Sequence, residues 1–253
     1  MAGWLRSRRR KRLSETPLPG SQRELIERNV PVYRSLGELQ KRELEGHIQV
    51  FLAEKRFEGC GGLEVTGEMR LTIAAQACLL LLGRETGYFP GMETIFVYPE
   101  RFMVRDTSIF EDGTVREEDD ELTGESWMYG PVVLAWDEVL VSASGPGDGY
   151  NVVLHEFAHQ LDAQTGEQNG MPPIRDAGLR ERWREVMEKE YARLGREVAR
   201  GLPTLIDEYA LESPAEFFAV VTEVFFQRPR ALRRRHPDLY GIMSRYYRYD
   251  PAA

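Results

Sequence analysis

Two histidines and a glutamate offer the most specific chemistry in this chain. They stand as His155-Glu156-Phe157-Ala158-His159, and only four histidines occur in all 253 residues. On a helix a spacing of four projects both imidazoles from neighbouring turns of one face, where they can grip a single metal ion. Glu156 lies beside them, able to hold and deprotonate a water that the metal activates. The plainer reading is a buried helix whose histidines are satisfied by core hydrogen bonds. Burying two imidazoles and a carboxylate without partners costs on the order of several kcal/mol, which favours the metal.

A zinc ion in an open tetrahedral site needs a third protein ligand. The metzincin arrangement would put Gly and His three and six residues after the second histidine, but Asp162 and Thr165 stand there. His47 and His236 lack a matching context. The remaining candidates are glutamates in the segment from Asp207 to Phe226. Ser213-Pro214 marks a helix start, and Glu216 completes a Ser-x-x-Glu capping box. Glu223 lies two turns further along nearly the same face, so spacing leaves both open. Glu216 is preferred because an apolar run from Phe217 to Phe226 buries its helix.

His-Glu-Phe-Ala-His-Gln-Leu-Asp together with Glu-Ser-Pro-Ala-Glu-Phe-Phe-Ala-Val resembles the bacterial Mlc titration factor A family of zinc-dependent peptidases. The metal site of that family is similar to that of anthrax lethal factor. The resemblance covers most of residues 25–250, including Ile95-Phe96-Val97-Tyr98-Pro99 and Gly130-Pro131-Val132-Val133-Leu134-Ala135-Trp136. It implies an α+β, zincin-like fold of the gluzincin type, with one Zn2+ per chain bound by His155, His159 and Glu216. It also implies that Glu156 is the catalytic base and that Tyr209, seven residues before the ligand glutamate, is catalytic. Some members bind Mlc, a transcriptional repressor of glucose-uptake genes.

The elements that must position these groups follow from patterning. Asn151 or Asp148 can cap a helix after the glycine-rich break at Gly145–Gly149. Val153, Phe157 and Leu161, with Leu154 and Ala158, give that helix a buried stripe. Residues 22–58 and 68–83 carry helical periodicity. Short β-branched runs at 94–98, 102–104, 131–136 and 139–141 predict strands. Residues 111–125 hold eight acidic groups and are expected to be an exposed loop. The expected organisation is one domain over 23–250, helical over 23–90, a small mixed or antiparallel sheet over 91–145, and a metal-binding helical half over 146–250. Gly130 to Trp136 is either an edge strand for an extended peptide substrate or an interior strand. Asp162 either orients a ligand histidine or is a plain polar group at a helix end.

Hydrophobic residues make up 42% and charged residues 29%, the balance of a globular protein. Six basic residues against Glu15 put +5 on residues 1–22, so the remainder carries −13 of a total −8. That arm is expected to be disordered, and the acidic remainder argues against direct nucleic-acid binding. No apolar stretch follows the basic residues, so a secretory signal is not expected. The most apolar run, Leu71 to Leu82, is about half the roughly 20 residues a bilayer span needs. With two cysteines in no metal or redox spacing, a cytoplasmic location is expected. Two functions remain: a zinc metallopeptidase acting on peptide or protein substrates, and a regulatory binding module whose zinc is structural or vestigial.

Overall fold

The computed structural model describes residues 2–84, 87–100, 102–109, 115–122, 124–126, 130–143 and 149–253. Helices open the chain: α1 (Ala2–Ser14), α2 (Gly20–Asn29), α3 (Val32–Ser35) and α4 (Glu38–Glu54). α4 buries Leu44, Ile48 and Phe51, the three-and-four spacing that turns one helical face to a core. β1 (Arg56–Gly59) follows, and then α5 (Gly67–Leu79). The Thr66 hydroxyl caps α5 by accepting from the Met69 N–H at 3.2 Å. Every residue of α5 from Leu71 onward is buried, which makes it the central helix of the core.

The remaining strands are β2 (Thr94–Tyr98), β3 (Phe102–Ile109), β4 (Val115–Leu122), β5 (Gly124–Ser126) and β6 (Val132–Ala135). They form a mixed sheet of order β1-β2-β6-β5, parallel except for β5, which pairs antiparallel with β6. α5 supplies the crossover that parallel β1 and β2 require. Ile95, Val97, Val132 and Leu134 turn into the core. β3 and β4 pair as a separate antiparallel ribbon. Six helices complete the fold: α6 (Trp136–Ala143), α7 (Val152–Asp162), α8 (Ala177–Ala199), α9 (Pro214–Gln227), α10 (Pro229–Arg235) and α11 (Pro237–Tyr247). This is the α+β arrangement expected, with α7 packed between α5 and α9.

Five local expectations are corrected. Residues 1–22 were expected to be disordered, but α1 forms and docks on α4. The Arg10 guanidinium grips the Glu54 carboxylate through Nε at 2.9 Å and Nη2 at 2.7 Å. Arg6 reaches the same carboxylate at 3.1 Å, and Leu18 of the Pro-Leu-Pro break is buried. The charge that promised a solvated arm is thus partly neutralised by a facing helix. Within the region expected to be wholly helical, Arg56–Gly59 is a strand, because β2 offers it a parallel ladder. Val139-Leu140-Val141 belongs to α6, not to a strand. Val139, Ser142 and Ala143 are its buried residues, a helical period that outweighs β-branched content.

The acidic segment is also less irregular than expected. Val115–Leu122 pairs with β3, and Gly124–Ser126 pairs with β6. Strand ladders are made by backbone groups, so a charged run can enter one. Residues 111–114 and 123 lie outside the described residues, as does Asp148, the alternative helix cap. Finally, β6 is an interior strand flanked by β2 and β5, so the edge-strand reading of Gly130–Trp136 does not hold.

Candidate metal centre

α7 carries His155, Glu156 and His159, and its start is fixed by buried polar contacts. Asn151 is the N-cap: its Oδ1 accepts from the Leu154 N–H at 2.9 Å. Its Nδ2 donates to Gln76 Oε1 on α5 at 2.7 Å and to the Ser142 carbonyl on α6 at 3.2 Å. Gly149 precedes it at φ +106, where an added Cβ would sit 3.2 Å from Arg228. Val153, Phe157 and Leu161 are buried as their spacing predicts. Phe157 packs against Phe89 at 4.8 Å and Phe51 at 5.7 Å between ring centroids.

α9 brings the glutamates. Ser213 caps it by accepting from the Glu216 N–H at 3.1 Å, with Pro214 in the first turn. α9 runs antiparallel to α7, so its first turn meets His155 and His159 while Glu223 meets the start of α7. Glu216 Oε2 lies 3.0 Å from His155 Nε2, and Oε1 lies 3.2 Å from His159 Nε2. The two Nε2 atoms are 3.1 Å apart. Glu223 takes a different position: its Oε1 lies 2.8 Å from His155 Nδ1. Its other oxygen accepts from the Asn151 backbone N–H. The two glutamates thus take different positions, with Glu216 facing both Nε2 atoms and Glu223 behind His155.

That arrangement tests whether the residues fit a metal. The carboxylate of Glu223 accepts the Nδ1 proton of His155, which leaves the lone pair on Nε2. Lone pairs and carboxylate oxygens brought this close repel one another unless a cation lies among them. Zinc–nitrogen bonds of about 2.0–2.1 Å in a tetrahedron place neighbouring ligand atoms roughly 3.3 Å apart. The observed separations are close to that, and the donor set fits. Among the described residues this is the one group of three potential ligands that converges.

The electrostatics favour positive charge at the same point. Burial disfavours a charged His155, yet Glu216 and Glu223 more than offset it and raise its pKa well above the usual histidine value. Burial likewise opposes ionised Glu216, but His155 and His159 hold its carboxyl well below the usual range. Glu156 is 3% exposed; burial raises its pKa, and its Oε2 has no hydrogen-bond partner among the described residues. A buried oxygen without a donor is ready to accept a proton.

Tyr209 lies in a one-turn 3-10 helix, Glu208–Leu211, started by Asp207, whose carboxylate accepts from the Tyr209 N–H at 2.9 Å. Its ring centroid is 6.1 Å from that of His155, and the residue is 47% exposed. Burial of the phenol, then the charge of Glu216, raises its pKa, so it remains a hydrogen-bond donor.

Among the described residues Asp162 makes no hydrogen bond to a histidine. Its Oδ2 accepts from the Gly170 N–H at 2.7 Å, tying the loop after α7. Gly170 has φ +76, and an added Cβ would lie 2.3 Å from the Pro214 carbonyl oxygen. The Gly170 carbonyl also accepts from Trp183 Nε1 at 2.9 Å. One glycine thus joins the end of α7, the start of α9 and the second turn of α8. Sequence reasoning missed it; the Asn169-Gly170 turn dipeptide was the available signal.

A profile of the glucose-regulated metallo-peptidase M90 family matches residues 4–248. The chain belongs to this family. An uncharacterized protein from Synechocystis sp. is 40% identical over 244 residues, 96% of this chain and 89% of its own length. Mlc titration factor A of Pectobacterium atrosepticum is 33% identical over 232 residues, 89% of this chain and 85% of its own. The protein of that name from Yersinia pestis is also 33% identical, over 89% of this chain and 83% of its own. These findings agree with the resemblance carried by the His-Glu-Phe-Ala-His and Glu-Ser-Pro-Ala-Glu motifs. A metallo-peptidase of the M90 family requires a metal ion, and His155, His159 and Glu216 are the described residues that fit one. No helix among the described residues is long and apolar enough to cross a membrane.

Proposed function

We propose that this chain is a zinc-dependent peptidase in which His155, His159 and Glu216 hold one zinc ion. The observation that carries the reading is the convergence of the two Nε2 atoms, 3.1 Å apart, on one carboxylate, beside the buried Glu156. When bound, the zinc polarises the scissile carbonyl and makes a water acidic enough to attack near neutral pH. Glu156 takes the proton of that water as its oxygen bonds to the carbonyl carbon. It then returns the proton to the amide nitrogen as the carbon–nitrogen bond breaks. Tyr209 donates its phenolic hydrogen to the oxygen on which negative charge develops. Glu223 keeps His155 in one tautomer and one orientation.

Among the described strands β5 ends the mixed sheet and packs near α7, and we propose that an extended peptide substrate adds to its outer side. Both cysteines, Cys60 and Cys78, are free thiols, which suits a reducing cytoplasm.

Incubating the purified chain with a peptide library, with and without a chelator, tests the proposal. Cleavage that a chelator abolishes and zinc restores is expected. No cleavage under any condition, or cleavage indifferent to the chelator, contradicts it.

A second role is favoured by the relatives named Mlc titration factor A. We propose that the chain also binds a repressor of the Mlc type through a surface separate from the metal centre, either the helical N-terminal region or Arg233–Arg235. Glu156→Gln should then abolish hydrolysis and leave repressor binding unchanged. Under the opposing view, a binding module with vestigial zinc, the wild-type chain would bind the repressor and cleave nothing.

A further inference from the structure

α1 carries six basic side chains in a chain whose net charge is −8, and the proposed peptidase chemistry uses none of them. Its two sides differ. One side is seated on α4: Arg6 and Arg10 clamp Glu54, and Leu13 packs against the core. The end of α1 also approaches Gly46 so closely that a Cβ added there would lie 2.7 Å from the Ser14 carbonyl oxygen.

The opposite stripe of the helix holds Trp4, Leu5, Arg8 and Arg12, which stand three and four residues apart on neighbouring turns. Trp4 and Leu5 are 62% and 61% exposed, and both arginines are exposed. The Arg8 guanidinium lies 4.7 Å over the Trp4 ring, so a cation and an indole are presented together. Arg9, at the flank, donates to the Ala53 carbonyl at 3.4 Å, which leaves its charge uncompensated. Among the described residues no carboxylate pairs with Arg8, Arg9 or Arg12. Glu15, just past the helix, lies 3.9 Å from Lys11 and offsets that lysine alone.

We infer that the outward face of α1 docks on the surface of an anionic lipid bilayer. An indole settles at the boundary between headgroups and acyl chains, and Leu5 enters that boundary beside it. The guanidinium groups reach back to lipid phosphates while their stems lie along the apolar layer. With 13 residues α1 is too short to span a bilayer, so it lies on the surface. The −13 carried by the rest of the chain is repelled by the same surface, which turns α1 toward it. A single-stranded nucleic acid would engage the arginines and stack on Trp4, but it leaves Leu5 without a role. The clamp on Glu54 holds the helix formed before it meets the membrane, which spares the ordering cost of a disordered arm. The inference depends on neither proposed role, since it concerns lipid binding alone.

Flotation of the full chain with vesicles of equal parts phosphatidylglycerol and phosphatidylcholine, against pure phosphatidylcholine, tests it. The chain should bind the anionic vesicles at least tenfold more tightly at low salt, and the preference should shrink as salt is raised. A basic residue close to such a surface is worth roughly fivefold in affinity, so Arg8→Gln with Arg12→Gln should weaken binding at least tenfold. Trp4→Ala with Leu5→Ala should weaken it at least tenfold and leave its salt dependence in place. Both double variants should melt as wild type, because the side chains removed are exposed. The same charge change at the end of α8, Arg196→Gln with Arg200→Gln, should bind as wild type. No binding to either vesicle, equal binding to both, or undiminished binding in the Arg8 and Arg12 variant overturns the inference. Undiminished binding in the Trp4 and Leu5 variant, or tighter binding to polyuridylate than to the anionic vesicles, overturns lipid as the partner.

Discussion

Glu156 and Tyr209 divide the proposed chemistry between a buried base and a half-exposed donor, and single substitutions separate their roles. Glu156→Gln keeps volume and hydrogen bonding but accepts no proton. Bound zinc should therefore remain at one equivalent while hydrolysis falls by about 10²–10⁴, the contribution of a general base; near wild-type turnover would reject that role. Tyr209→Phe keeps the ring beside His155 and removes the hydroxyl alone. Loss of one oxyanion donor costs about 2.7–4 kcal/mol in the transition state, so kcat and kcat/KM should fall together with KM little changed. An unchanged kcat on a good peptide substrate would assign Tyr209 to packing. The spacing of His155, Glu156 and His159 is legible because two neighbouring turns of one helix, α7, carry all three. The difference between Glu216 and Glu223 is not, because carboxylates two turns apart share a helix face. Only the register of α9 against α7 decides that one meets Nε2 and the other meets Nδ1.

That register is held by elements, and Gly170 is where three of them meet. Gly170→Ala would press a Cβ to within 2.3 Å of the Pro214 carbonyl oxygen, at a φ of +76 that side chains rarely adopt. Backbone strain of this kind costs about 1–3 kcal/mol. For a chain of this size each kcal/mol lowers the melting temperature by roughly 2–4 °C. The variant should melt several degrees lower and bind zinc more weakly, since the start of α9 carries Glu216. An unchanged melting curve and unchanged zinc affinity would remove Gly170 from the account. The α1–α4 contact makes a pH prediction. Hydrogen bonding from Arg10, against the opposing effect of burial and with help from Arg6, lowers the Glu54 pKa from 4.5 to about 2. A depressed carboxyl stabilises the fold fully above its unfolded value and loses that contribution as pH falls toward its folded value. The melting-temperature gap between wild type and Glu54→Gln should thus be constant above about pH 5 and close between pH 4.5 and 2. A gap independent of pH would contradict the pairing. Nothing in the basic run itself discloses that contact, because its partner lies across the fold on α4. Val139-Leu140-Val141 misleads for a related reason: β-branched content is a weak prior beside the burial of Val139, Ser142 and Ala143 on one helical face.

Across the whole molecule, the layers were legible where periodicity is long and strong, as in α4, α5, α7 and α9. They were not legible where a short segment takes its conformation from a neighbour, as β1 does from β2 and β5 from β6. The proposed metal centre belongs to this largest scale, since α7 and α9 are separated in sequence by the whole of α8 and meet only when the core closes. Zinc content therefore reports on the fold and the site together. Elemental analysis of the purified wild type and Glu216→Ala, each melted to confirm folding, is the most direct test. The wild type should carry one zinc per chain, and Glu216→Ala well below one, because two histidines alone bind zinc weakly. A folded Glu216→Ala with full zinc occupancy would contradict the proposed centre.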